Sequence, residues 1–195
     1  MTDVDPLAVD SQRAWEELNQ NLPGILEAML ESDSFNAEVP PVLGGRGIYL
    51  FSDGEEYLYV GRTGVTARSR KAEKEPSTSF TARWKQHTGF SSPPHSAPFA
   101  MKLARDVAEQ FGVAQPQDLK DAGVIERTAD WWGLRKGETP PDFYLLLQEA
   151  KRFIAEDLDF RVAEFVDDHR GVRSHVAEVY ADVVLQTTYG DFSPS

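Results

Sequence analysis

Gly47-Ile48-Tyr49-Leu50-Phe51-Ser52-Asp53-Gly54-Glu55-Glu56-Tyr57-Leu58-Tyr59-Val60-Gly61 is the stretch on which the reading of this chain turns. Its two ends, Gly47 to Phe51 and Tyr57 to Gly61, are rich in aromatic and β-branched side chains, as short strands are. Asp53-Gly54 between them is a strong short-range turn signal. A β-hairpin follows. Two tyrosines on a hairpin ordinarily mean cross-strand packing, and from the hairpin alone that reading stands.

Working outward, apolar side chains fall on helical spacing in five places. Ser11 to Ser32 carries Trp15, Leu18, Leu22, Ile25, Leu26, Met29 and Leu30, with Pro23-Gly24 as a point where it would split. Asp33 to Gly45 is a polar connector holding proline and glycine. Further helices are expected over Ser77 to Thr88, Pro98 to Phe111, Asp142 to Asp157 and Val172 to Gln186. In the last, Val176, Val179, Tyr180, Val183 and Val184 form the apolar side. Gly112 to Gly137 reads as irregular. Phe160, Val162, Glu164 and Val166 alternate, which predicts a third strand over Asp159 to Val166, with Asp167-Asp168 as a cap after it. The fold class expected is α+β, with a small three-stranded sheet flanked by helices.

At 195 residues the chain is long enough for one medium domain with a substantial core. No run of about 18 apolar residues spans a membrane, and the acidic start lacks the layout of a secretion signal. Cysteine is absent, which removes disulfides, thiolate metal sites and cysteine nucleophiles and sits with a cytoplasmic location. The net charge of −12 runs against nucleic-acid binding, which draws on neutralised phosphates. The charge is uneven, however. Between Arg62 and His87, Arg62, Arg68, Arg70, Lys71, Lys74, Arg83 and Lys85 face only Glu73 and Glu75. Such a run is ordinarily a solvated basic helix; its place directly after Gly61 gives it a functional alternative.

Several constellations are missing. Gly44-Gly45-Arg46-Gly47 precedes a strand instead of joining strand to helix, so it is no phosphate loop. Neither zinc-ligand spacing nor a nucleophile elbow occurs. Arg83 and His87 stand at i and i+4, one turn apart on a helical face, a pairing also common on exposed helices. Glu178 lies off the valine side of its helix and by itself reads as an exposed carboxylate. His95, His169 and His175 read as incidental, although His175 and Asp182 flank Glu178 at helical spacing. Trp131-Trp132 reads as core or lid packing, with base stacking as the alternative.

Taken jointly, these residues resemble the GIY-YIG nuclease superfamily. Gly47-Ile48-Tyr49 is followed ten residues on by Tyr59-Val60-Gly61, with Val60 where the consensus has isoleucine. Arg62 follows the second motif, Arg83 and His87 match an arginine followed four residues later by histidine or tyrosine, and Glu178 matches an acid on a C-terminal helix. Phe165 to Phe192 resembles a subgroup containing some restriction endonucleases, whose acid-bearing helix precedes a Thr-x-Tyr-Asn-x-Phe-like tail. Here the tail is Thr187-Thr188-Tyr189-Gly190-Asp191-Phe192, so Gly190 stands where asparagine is expected. The resemblance covers roughly residues 43–87 and 160–192. It implies a nuclease domain over 46–192 with an antiparallel sheet and a largely helical insertion at about 89–157, preceded by a helix and connector over 1–45.

What the resemblance implies chemically is a divalent-metal-dependent DNA endonuclease of restriction, defence or mobile-element type. Tyr49, Tyr59, Arg83, His87 and Glu178 would be catalytic, and Arg62, Arg68, Arg70 and Lys71 would hold DNA, duplex or structured. Glu178 would ligate one Mg²⁺ or Mn²⁺ per site. Tyr49 would deprotonate water with cationic help from Arg62 and Arg83, Tyr59 and His87 would orient it, and the metal would receive the leaving 3′ oxygen. Cutting both strands would take a homodimer or two binding events. The alternative is a non-catalytic nucleic-acid or protein-interaction module on the same fold. The acidic balance favours that alternative, or else a partner protein that lends DNA affinity.

Overall fold

The computed structural model describes residues 6–54, 56–63, 79–89, 93–137, 141–165 and 172–192. Its elements in order are helix α1 (Pro6–Glu31), strands β1 (Gly47–Asp53) and β2 (Glu56–Arg62), and helices α2 (Phe80–Thr88), α3 (Pro98–Phe111), α4 (Pro116–Asp121), α5 (Trp131–Leu134) and α6 (Asp142–Glu156). Strand β3 (Asp159–Glu164) and helix α7 (Val172–Leu185) follow. The fold is α+β, with a three-stranded antiparallel sheet in the order β2-β1-β3 and helices on both faces. Among the described residues no helix is long and apolar enough to cross a membrane.

Strand alternation sorts the side chains onto two faces. Tyr49, Phe51, Tyr59 and Phe160 enter one apolar cluster together with residues of α2, α3 and α6, while Ile48, Leu50, Val60 and Ala163 enter the other with α1 and α7. Register departs from strict alternation once. Phe51 pairs with Tyr59 but Ser52 pairs with Tyr57, so Leu58 is an extra residue and joins Tyr59 in the first cluster. Such a bulge turns an edge strand locally. Both sheet edges are covered in part. Phe35 exchanges hydrogen bonds with Phe160 along β3, and the amides of Thr188 and Tyr189 donate to the carbonyls of Tyr57 and Leu58 along β2. Each edge is thus paired over part of its length, which shortens the template it offers another chain.

Several sequence expectations change. Helix α1 runs unbroken through Pro23, and the buried Leu18, Leu22, Leu26 and Met29 pack it onto the sheet. The guanidinium of Arg161 donates to the carbonyls of Leu30 and Ser32 at 2.9 Å each, satisfying its C-terminal end. Residues 112–137 are not irregular throughout: α4, a 3₁₀ turn at Thr128–Asp130 and α5 lie within them. Their local caps, such as Asp130 accepting from the Arg127 amide, escape a search for long apolar periodicity. The valine side of α7 is only in part its core side, since Val176 and Tyr180 pack against the second cluster. Ser174, Ala177, Ala181 and Asp182 are buried, whereas Val183 and Val184 are 48% and 50% exposed. Small side chains let the helix approach β2 closely, an advantage that hydrophobicity alone does not register. Helix α2 begins at Phe80, with the Ser79 hydroxyl accepting from the Ala82 amide, and β3 ends at Glu164. The cap expected at Asp167-Asp168, and His169, lie outside the described residues.

Gly47 is set by the sheet. Its φ is +156°, and a Cβ there would lie 1.9 Å from the Ala163 carbonyl oxygen of β3. Gly24, inside α1, has nothing within 4 Å of an added Cβ. Gly47→Ala is therefore expected to destabilise the fold by about 1–3 kcal/mol through backbone strain and the clash, and Gly24→Ala to stabilise it by roughly 0.5–1 kcal/mol. Urea unfolding of the two variants should give shifts of opposite sign.

Candidate active site

The centre of β1 delivers Tyr49 into the first cluster, beside the rings of Phe51, Tyr59 and Phe160. Opposite it in register is Gly61. A Cβ at residue 61 would stand 2.4 Å from both Cζ and the hydroxyl of Tyr49. The second motif ends in glycine because the phenol of the first lies across it. One turn of α2 then brings His87 down onto the same spot. Its Nε2 is 3.0 Å from the Tyr49 hydroxyl, and its ring is walled by Tyr49, Phe51, Tyr59 and Phe99.

Tyr49, Tyr59 and His87 are buried, and burial governs their titration. It lowers the pKa of His87 to about 3, helped by the Arg83 and Lys151 cations, so the imidazole is neutral. The Tyr49 hydroxyl is pushed far above its ordinary value by burial, against the pull of Arg83 and Arg62. Tyr59 moves the same way, by burial and then by the neighbouring Tyr49. The expected cationic help is therefore present and outweighed, and neither phenol ionises at neutral pH. The direction of the Tyr49–His87 hydrogen bond is set by which nitrogen of the neutral imidazole carries the hydrogen, and Nδ1 has no partner among the described residues.

Arg83, one turn before His87, donates from Nη1 to Gln86 at 3.1 Å, and its buried Nε has no partner among the described residues. Arg62 pairs in register with Ile48, at the end of β2, and its Nε meets a Glu178 carboxylate oxygen at 2.8 Å. His175 Nδ1 approaches the same oxygen at 3.5 Å. Glu178 is not the exposed carboxylate that its helix pattern suggests: its side chain is 15% exposed. Burial raises its pKa while Arg62 and His175 hold it down. Arg62 and Glu178 lie close enough for their charges to act on the Tyr49 hydroxyl. The expected residues thus fall into two groups, Tyr49, Tyr59 and His87 in the buried box with Arg83 one turn away, and Arg62 paired with Glu178. Arg68, Arg70 and Lys71 lie outside the described residues.

The tail closes the edge of this cluster. Asp182, one turn beyond Glu178, accepts from the Thr187 hydroxyl and from the Phe192 amide. A side chain at residue 190 would run into the Asp182 carboxylate, so Gly190 and Asp182 fit together where an asparagine was expected. Phe192 meets the His175 ring, and Lys102 of α3 donates to the Tyr189 carbonyl at 2.7 Å while pairing with Asp191 at 2.5 Å. Lys102 also stands 5.8 Å over the Tyr59 ring.

Sequence reasoning missed Lys102 and Lys151. Lys151 sits on the core face of α6, is buried, and donates to the Gly89 carbonyl at the end of α2, two residues past His87. A lysine at an apolar helical position was the available signal. Trp131 packs in the core against Phe143, as its bland reading has it, and Trp132 carries the Arg135 guanidinium 4.2 Å over its ring.

Comparison of the chain with protein-family models, curated proteins and solved structures finds no match in any of the three. The residues and their geometry are what any functional reading rests on.

Two expectations follow. Gly61→Ala should force the Tyr49 phenol off His87 and cost about 1–3 kcal/mol by overpacking, read by urea unfolding and by the tyrosine ultraviolet spectrum. Burial lowers the Lys151 pKa from 10.5 to about 8. Between those values the unfolded chain holds more protons than the folded one, so Lys151 contributes stability that rises with pH. From pH 8 to pH 10 the urea midpoint should rise in the parent by more than in Lys151→Met.

Proposed function

We propose that this chain is a divalent-metal-dependent endonuclease of GIY-YIG type that hydrolyses DNA phosphodiester bonds at the Tyr49, Tyr59, Arg62, Arg83, His87 and Glu178 cluster. One observation carries the reading: side chains far apart in sequence form the 3.0 Å Tyr49–His87 hydrogen bond and the 2.8 Å Arg62–Glu178 pair, and the charges of that pair reach the Tyr49 hydroxyl. A structural core has little use for a tyrosine, a histidine, two arginines and a glutamate near one another, because each must be desolvated. No expected catalytic position carries an inert residue.

The electrostatics favour a relay over a free phenolate. Once substrate binding opens the box to a water, that water attacks the phosphorus. Its proton passes to the Tyr49 oxygen and the Tyr49 proton passes to His87 Nε2, in the tautomer that leaves Nε2 bare. The phenol stays neutral throughout, which its burial demands, and the positive charge ends on His87, where the incoming phosphate anion offsets it. Tyr59 walls the water in. Arg62 and Arg83 hold the non-bridging oxygens. The leaving oxygen takes a proton from solvent to become a 3′ hydroxyl, leaving a 5′ phosphate.

Mg²⁺ or Mn²⁺ fits Glu178, a hard oxygen donor with a partly open side chain. Bound there, it would supply Lewis-acid stabilisation of the leaving oxygen. Among the described residues no group of three or more His, Asp or Glu side chains gathers around a single point. Water and substrate phosphate would complete the coordination, and affinity without DNA should be weak. Arg62 must give up its pairing with Glu178 as that happens, which turns it toward the phosphate.

A second reading, a non-catalytic nucleic-acid or protein-interaction module, has the net charge of −12 and the closed Arg62–Glu178 pair on its side. Incubation with plasmid, short duplexes, single strands and RNA in Mg²⁺ or Mn²⁺ separates the two. Cleavage is expected, lowered about 10²–10⁴-fold in Glu178→Ala and in Tyr49→Phe. Absence of cleavage on every substrate favours the module, and wild-type cutting by both variants removes the site assignment.

A further inference from the structure

Between the start of α3 and the Trp131-Trp132 segment lies a groove of about 600 Å³, within the size range of small-ligand sites. Its walls are rigid, formed in part by Pro93, Pro94, Pro98 and Pro116, with Met101 and Trp131 among the apolar lining. The only charged side chains among its described lining residues are Lys102 and Arg105. That is unexpected in a chain with 32 acidic and 20 basic residues. Trp132 lines the groove as well, and the guanidinium stacked on its ring belongs to a third cation, Arg135.

One side chain, Lys102, links the groove to the surroundings of the candidate active site. It belongs to the groove wall, yet its ammonium stands over the Tyr59 ring and holds the tail at Tyr189 and Asp191. Arg105 follows Lys102 one turn further along α3, so both cations stand on the groove side of that helix.

We propose that this groove binds an unpaired nucleotide segment adjoining the scissile phosphate. Lys102 and Arg105 take the backbone phosphates, and a base lies against the Trp132 and Met101 wall. Phosphate pairing supplies the electrostatic part, and contact with an aromatic face supplies a part that tolerates any base. A duplex is too wide for such a groove, so the substrate class is a strand that is single, frayed or carries an extruded base. The proposal rests on the nuclease reading for its direction relative to the cluster, but its test does not need cleavage.

Titration of the full chain with a short fluorescein-labelled oligothymidylate, without divalent metal, reads binding by anisotropy and by quenching of tryptophan fluorescence. Arg105→Glu and Trp132→Leu should each weaken binding about tenfold. Arg152→Glu, a cation of α6 outside the groove lining, should leave it unchanged. Arg105 is exposed, so its variant keeps the test decisive if Trp132→Leu fails to fold by circular dichroism. Thymidine monophosphate should bind far more weakly than the oligomer, which separates a strand site from a free-nucleotide site. Parental affinity in both groove variants overturns the proposal, as does a proline-rich peptide that occupies the groove in preference to the oligomer. Cleavage that depends on Glu178 while the groove variants bind like the parent sinks this inference and spares the nuclease reading; groove binding with no cleavage of any substrate does the reverse.

Discussion

A phenol hydroxyl and an imidazole share one hydrogen bond inside an otherwise apolar box, and much of the fold is arranged around keeping that bond made. Both groups are buried, so losing one partner would leave the other unsatisfied. The constraint propagates outward. Gly61 must lack a side chain for the Tyr49 ring to lie where it does, and α2 must end at a fixed height for His87 to reach it. The Lys151–Gly89 contact fixes that height from below, and the Leu43 and Pro41 carbonyls that accept from the Thr81 hydroxyl fix the other end of α2.

Around that neutral centre the charges are kept at its margin. Arg62 and Glu178 neutralise one another across the end of β2, Lys102 and Asp191 do so at the tail, and Arg83 is partly turned to Gln86. A polyanion entering here exchanges protein ion pairs for its own. The cost of opening each pair sets a threshold that a weakly charged ligand would not meet, which gives a chain of net negative charge a way to be selective about anions.

How much was legible in the sequence depended on whether a residue's partner was near in the chain. The hairpin, α3 and α6 could be read because their signals, Asp53-Gly54 and the apolar stripes, are local. The nearness of Arg83 and Glu178 to Tyr49 could be suspected only from motif order, since no periodicity links residues so far apart. The core side of α7 was legible only in part because Ala177 and Ala181 are chosen for closeness and not for hydrophobicity. The short helices within 112–137 rest on caps of one or two hydrogen bonds. The burial that raises both tyrosine pKa values comes in part from Phe51, Phe99 and Phe160, residues with no place in any site motif, so its sign could not be read before the packing was known.

The pairing of β1 with β3, Tyr49 against Val162, joins the early part of the chain to the late part across everything between. Closing such a loop costs an entropy that grows only slowly with its length, so the intervening helices can lengthen or shrink without unseating the sheet. The same pairing makes assembly slow, because distant contacts come last. On the ribosome, a chain that has already emitted both hairpin tyrosines still lacks β3, Glu178 and the edge-covering tail. Whatever chemistry the cluster performs is withheld from the nascent protein until β3 and α7 have followed.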